Sequence, residues 1–246
     1  MTQRGEVRIL DDAAGVAEAL ADVFVQKARD AIAARGRFAV ALAGGNTPKA
    51  AYALLANPPR GSQVDWQRVF VYFGDERCVP PGDDQSNYKM ASDSLLSHVP
   101  IPTAQVFRMH GEDDPQLAAR DYANELRETL GDPPRFDLVM LGMGPDAHTA
   151  SLFPGTDPYT DDEQLVRAQY VQKASMNRLT LTPAAINAAR CVVIATEGPS
   201  KTEALSAVFL SPDDPTQRPI QAIAPRDGKL LWLVDRAAAG SLTASV

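Results

Sequence analysis

Apolar positions along this chain follow two rhythms in turn. From Ala13 to Ala34, alanine, valine, leucine and phenylalanine recur at helical spacing between charged residues, and Gly36 stands ready as the breaker. Then comes a short apolar run, FAVALA (38–43), bounded by glycine on both sides. Runs of that kind suit strands buried on both faces. The alternation continues with PKAAYALLA (48–56) as a helix, RVFVYF (68–73) as a strand and residues 116–130 as a helix. FDLVML (136–141) and CVVIAT (191–196) are further strands, residues around 200–210 a helix, and KLLWLVD (229–235) the last strand. Between these, RLTLT (178–182) alternates apolar and polar positions and leads into a short helix that Pro183 can start. Strands separated by helices predict an α/β fold with a mostly parallel sheet and helices on both faces.

In such a sheet, ligands bind beyond the carboxyl ends of the strands, where the strand order reverses. The segments that follow the strands are GGNTPK (44–49), GDER (74–77), GMGPDAH (142–148) and EGPSK (197–201). Four strands in succession end in glycine or a glycine-containing polar turn, which suggests one composite site. In GGNTPK, Gly44 and Gly45 give backbone freedom, and Asn46 follows. Thr47 is a good N-cap, and Pro48 suits the first helical position. A helix starting there offers unpaired N–H groups to a phosphate; an ordinary strand-to-helix turn accounts for the same residues. The spacing of a Walker A loop is absent.

The second segment, FGDERCVPPGDDQSNY (73–88), places Asp75, Glu76 and Arg77 where a strand should end. Arg77 can grip a carboxylate or phosphate with two parallel bonds or stabilise an oxyanion. The plain alternative is a solvated charge cluster. PPGDDQSN reads as a long, turn-rich loop, and Cys78 as a small loop residue rather than an activated thiol. The third segment, LGMGPDAHTASLFPG (141–155), contains G-x-G-x-x-A, but a dinucleotide fingerprint needs a second strand ending in an acid about 20 residues on. PGTDPYTDDEQ (154–164) is full of turn formers instead. The loop is better read as presenting His148, with Asp146 close enough to orient its ring. Thr149 to Phe153 can open a helix that Pro154 limits. The structural alternative is a histidine that only packs or caps; His98 and His110 have no comparable setting. Arg178 and Lys201 complete a set of cations that could serve one bound phosphate.

Composition narrows the classes. The 246 residues carry a net charge of −7 and a pI near 5.0, so nucleic acid is not an expected partner. No apolar run is long enough to span a bilayer, and MTQRGEVRILDD lacks the apolar core of a signal peptide, so a cytoplasmic protein without membrane contact is expected. Cys78 and Cys191 make neither a disulfide framework nor a metal pair. No metal and no cofactor are expected.

AGGNTP (43–48), GDERCVP…SN (74–87) and LGMGPDAHTASLFPG (141–155), in this order and spacing, resemble the 6-phosphogluconolactonase family. RLTLT, EGPSK and the closing WLVDRAA agree, so the resemblance covers nearly the whole chain. The related glucosamine-6-phosphate deaminases share GG-x-TP. They typically carry tyrosine where this chain has Arg77, and lack the continuation that PPGDDQSN resembles. The resemblance implies a Rossmann-like, doubly wound fold, one domain over 1–246, no metal, and action on a phosphorylated sugar lactone; a monomer is expected. It implies His148 as the base that activates water, Asp75, Arg77 and Asp146 at the reacting end, and Gly44 to Thr47 with Arg178 and Lys201 at the phosphate. Two positions depart from the family pattern: Asn46 replaces a serine, and Ala147 replaces the glycine of G-x-D-G-H, where a positive φ would strain a side chain. A sugar-phosphate isomerase or deaminase, with Asp75 abstracting a proton from carbon, and a non-catalytic sugar-phosphate sensor are the competing readings.

Overall fold

The computed structural model describes residues 4–156, 164–240 and 242. In chain order the elements are β1 (Glu6–Leu10), α1 (Ala13–Arg35), β2 (Phe38–Leu42), α2 (Asn46–Leu55), β3 (Val69–Phe73), β4 (Asp75–Arg77), α3 (Asn87–Ser94) and α4 (Pro115–Leu130). They continue with β5 (Leu138–Gly142), β6 (Val166–Val171), β7 (Met176–Leu181), α5 (Pro183–Asn187), β8 (Cys191–Thr196), α6 (Thr202–Leu210), β9 (Lys229–Asp235) and α7 (Arg236–Ala239). Six strands form a parallel sheet in the order β1-β9-β8-β5-β2-β3, and β4-β7-β6 form a small antiparallel sheet.

Period-two alternation splits the core between the two faces of the parallel sheet. Val40, Leu42, Val71, Leu138, Met140 and Val193 point to the side covered by α1, α2 and α3, where Leu20, Phe24, Tyr52 and Ala91 pack. Ala41, Tyr72, Val139, Leu141, Ile194 and Trp232 point to the side covered by α4, α5, α6 and α7, with Tyr122, Ile186, Leu205 and Ala238. Helices on both faces are thus the packing counterpart of strands that are apolar throughout.

Caps set the helix ends. Asp12 accepts from the Gly15 N–H at the start of α1, and Gly36, at φ 74°, ends it. Helix α2 begins two residues earlier than Thr47 as its cap would place it: Gly45, at φ 103°, is the cap, so Asn46 and Thr47 lie in the helix, and no side chain caps it. Residues 149–153 form tight turns, not a helix; Ala150 takes φ 47° and Thr149 bridges to Leu152. Two strands escape the apolar rhythm. β1 is an edge strand with no fully buried residue, and β6 (VRAQYV) is an edge strand of the small sheet. The Asp-Glu-Arg segment forms β4 itself. Gly74 makes this switch between sheets, its N–H donating to Leu42 O (2.9 Å) and its carbonyl accepting from Leu181 N (2.8 Å). The turn-rich residues 157–163 lie outside the described residues.

Strand order reverses between β2 and β5: β3 lies outward of β2 on one side, and β8 and β9 outward of β5 on the other. The loops after β2 and β5 therefore open side by side, as a switch-point crevice requires. At the opposite end of these two strands, buried Asp137 accepts from the Ala39 N–H (2.9 Å) and pairs with Arg35 (2.8 Å) and Arg190 (3.4 Å). Asp137→Ala should lower the unfolding free energy by about 2–4 kcal/mol, because a buried backbone donor and two arginines lose their acceptor. Asp137→Asn keeps an oxygen for Ala39 and should lose less; urea denaturation of both variants checks the order.

Candidate active site

Two buried tyrosines hold the ends of the strands that lead into the crevice. The Tyr52 hydroxyl donates to Ala43 O (2.9 Å) and accepts from Ala43 N (3.0 Å), beside the GGNTP loop. The Tyr122 hydroxyl accepts from Phe73 N (2.9 Å) at the end of β3. Beyond these ends lies a cleft of about 370 Å³. All ten expected residues enter its immediate wall or support. Gly44, Gly45, Asn46, Thr47, Asp75, Arg77, His148, Arg178 and Lys201 line it directly, and Asp146 stands behind His148.

The histidine is held from its Nδ1 side. Asp146 Oδ1 lies 2.5 Å from His148 Nδ1 and 3.3 Å from the His148 backbone N. Burial alone would raise the Asp146 carboxyl, but hydrogen bonds from His148 and Lys173 overcome it and hold the group well below the ordinary carboxylate range. A depressed carboxyl adds stability that is complete above its unfolded pKa, ~3.9, and is lost as the pH falls below it. At neutral pH Asp146 is therefore an acceptor only, which puts a proton on Nδ1, so that in the neutral ring Nε2 is the acceptor. Phe153 stacks on the imidazole, centroids 4.4 Å apart.

The loop that carries His148 is shaped by two small residues. A Cβ on Gly144 would overlap the imidazole itself. Ala147, buried at φ 61°, adopts the positive φ expected for the family's glycine position. The left-handed backbone costs roughly 1–2 kcal/mol for a residue with a Cβ, and burying that methyl returns about 0.8 kcal/mol. The strain is therefore small and local.

The two acids of GDER have different jobs. Asp75, 6% exposed, accepts from Asn87 Nδ2 on Oδ1 (3.0 Å) and from Ser151 Oγ on Oδ2 (2.7 Å). Both oxygens are occupied by structural donors. Glu76 is 3% exposed and caps α3, accepting from the backbone N–H groups of Asn87 (2.7 Å) and Tyr88 (2.8 Å), and from Ser86 Oγ (3.0 Å). Burial raises its pKa, and these bonds oppose the rise. The serine and asparagine of PPGDDQSN are thus the partners of the preceding acid pair. Gly44 belongs to the same contact, since a Cβ there would overlap the Asn87 amide.

Three cations face this cleft. Arg77 on β4 pairs directly across from Arg178 on β7. The Nε atoms of both are buried without a hydrogen-bond partner among the described residues. Burial, then the charge of Arg77, lowers the Arg178 pKa. Lys201 ends a short 3-10 turn held by Asp235, whose carboxylate accepts from the Gly198 N–H (3.0 Å). Burial lowers the Lys201 pKa, against the opposing charges of Asp146 and Glu197. Desolvated cations with spare donors make an anion-binding corner. Cys78 is no activated thiol: burial, then the charge of Glu76, pushes it up to about 11. Among the described residues, no group of three or more histidine, cysteine or acidic side chains is arranged to hold a metal ion, and no helix is long and apolar enough to cross a membrane.

Sequence reasoning alone did not assign Lys173, Ser151, Asn87 or Thr196. Asn87 lay within a quoted motif. Thr196, whose buried hydroxyl has no partner among the described residues, ends the apolar run CVVIAT. Lys173 carried no local signal.

Residues 11–232 match the family described as glucosamine-6-phosphate isomerases/6-phosphogluconolactonase. A 6-phosphogluconolactonase of Synechocystis sp. is 41% identical over 217 residues, which cover 86% of this chain and 88% of that protein. One of Nostoc sp. is 36% identical, with 96% and 98% covered. The solved 6-phosphogluconolactonase from Trypanosoma cruzi is 25% identical and superposes with a TM-score of 0.87, covering 99% of this chain and 98% of that one. This chain belongs to the glucosamine-6-phosphate isomerase/6-phosphogluconolactonase family.

Proposed function

We propose that this chain hydrolyses 6-phospho-D-glucono-1,5-lactone to 6-phospho-D-gluconate, as a monomer in the cytoplasm, in the oxidative pentose phosphate pathway. The observation that carries the reading is the His148–Asp146 pair, 2.5 Å apart at Nδ1, which leaves Nε2 free on a residue lining a cleft with three cations. His148 Nε2 takes a proton from water as the water oxygen bonds to the lactone carbonyl carbon. The oxyanion forms in a cleft that carries the positive charge of Arg77. The tetrahedral intermediate collapses by breaking the bond from the carbonyl carbon to the ring oxygen, and the imidazolium returns its proton to that oxygen. The product acid then ionises. A lactone keeps its leaving group in the same molecule, so a positioned water and one base suffice. Arg178, Lys201 and the α2 N-terminus at Gly44, Gly45, Asn46 and Thr47 take the phosphate.

Proton abstraction from carbon by Asp75, as an isomerase or deaminase would require, fits less well, because Ser151 and Asn87 already occupy both of its oxygens. Acid release from the lactone in a pH-stat, faster with the protein than without, tests the reading.

His148→Asn should reduce kcat by about 10²–10⁴ and leave affinity for 6-phosphogluconate nearly unchanged. A folded variant with parental kcat would remove the histidine from the mechanism. In the parent protein, kcat/KM should fall toward acid pH, since protonating the imidazole removes the base while Asp146 stays ionised. Gly144→Ala should cost on the order of 10² in kcat by displacing the ring, a loss typical of misplacing a catalytic group by ~1 Å. Steady-state kinetics on both variants, with circular dichroism to confirm folding, separates displacement from collapse. For Lys201→Ala, KM for the phosphorylated lactone should rise roughly 10- to 100-fold, the worth of one charged hydrogen bond at ~1.5–3 kcal/mol. Hydrolysis of unphosphorylated gluconolactone should barely change; equal losses on both substrates would refute the phosphate role.

A further inference from the structure

The hairpin of β6 and β7 does more than supply Arg178. Its turn, residues 172–175, carries Lys173, whose Nζ lies 2.9 Å from Asp146 Oδ2. Asp146 Oδ1 is the atom that meets His148 Nδ1. The carboxylate is thus gripped on one oxygen by the imidazole and on the other by an ammonium 27 residues further along the chain. The hairpin cannot drift from this position freely. Thr180 Oγ1 on β7 accepts from the Ser151 N–H (3.3 Å), and the Gln169 amide on β6 donates to Ser151 O. Ser175, at φ 51°, closes the turn by donating its N–H to Gln172 O (3.1 Å).

We propose that Lys173 is a positioning residue for the reaction: it holds Asp146 against His148 and moderates the negative charge that the imidazole feels. The proposal rests on the hydrolase reading above. Lys173 touches neither the imidazole nor, by its position outside the cleft wall, the substrate; it acts through Asp146. Stability is a poor explanation for the pair, because the lysine side chain is 70% exposed and such pairs contribute little.

The other charged groups around His148 are Asp75, Arg77, Arg178, Lys201 and Glu197, which line the same cleft. All of them stay in place when Lys173 is changed, so the effect of its charge can be isolated. Lys173→Met removes the ammonium and keeps most of the stem. Asp146 is still held by the His148 backbone N–H (3.3 Å). Its unmoderated charge then favours the imidazolium, so protonation of His148 should persist to higher pH.

The test has two arms. In proton-detected histidine titrations by NMR, with His148→Asn identifying the resonance, Lys173→Met should move the His148 titration upward by roughly 0.5 pH unit, the effect of one solvent-screened charge. In kinetics, kcat should fall about 3- to 10-fold with KM unchanged, and the acid limb of kcat/KM should move up with the titration, the cost of loosening a base's partner without removing it. Lys173→Arg should restore both, and thermal unfolding should hardly change in either variant. An unmoved or downward His148 titration would overturn the proposal, as would a loss confined to KM, which would make Lys173 a substrate contact. If the parent protein failed to hydrolyse the lactone, the hydrolase reading would fall, whereas the NMR arm would still decide the role of Lys173.

Discussion

The carboxyl group of Asp75 accepts from Asn87 on one oxygen and from Ser151 on the other, nearly buried in the cleft wall. Asp75 follows β3, Asn87 opens α3, and Ser151 belongs to the loop after β5. One buried carboxyl group therefore ties together segments that leave different strands, and the Gly44 backbone of the β2 loop fits against the same asparagine. A buried carboxylate is tolerated only with its lone pairs satisfied, so the three segments are fixed relative to one another or the tie fails. The position of His148, three residues before Ser151, follows from it.

Around this tie the chain gathers charge against its own average. The net charge is −7, yet Arg77 and Arg178 face each other across β4 and β7, and Lys201 lines the same cleft. Like charges directly opposite on a sheet are unfavourable. Here the nearby charges of Asp75 and Glu76 oppose the effect on Arg178. In the proposed function, the phosphate of the substrate relieves the remainder. The acidic surroundings confine the positive charge to that corner of the cleft.

Backbone strain is concentrated on the same loop. Ala147 and Ala150, at φ 61° and 47°, flank His148 within the tight turns after β5. A helix over 149–153 would have relaxed Ala150. It is excluded because Thr149 Oγ1 donates to Gly142 O (2.8 Å) and Ser151 must reach Asp75. Tertiary hydrogen bonds here override a local helical tendency. At α2 the departure is a two-residue shift: Gly45, at φ 103°, caps the helix in place of Thr47, and the helix starts at Asn46.

What the sequence by itself determined was the strand and helix rhythm of the parallel sheet, because strands buried on both faces must be apolar throughout. It also determined the pairing of Asp146 with His148, two residues apart, and it placed Gly44 to Thr47, Asp75, Arg77 and Lys201 in the segments that follow legible strands, with Arg178 at the start of RLTLT. The tertiary structure alone decided the edge strands β1 and β6, whose half-exposed residues carry no continuous apolar signal. It alone divided Asp75 from Glu76, one tying loops and the other capping α3. It alone brought Lys173 to Asp146, since that contact depends on how far the β6–β7 hairpin reaches over the sheet, a distance that no local spacing encodes.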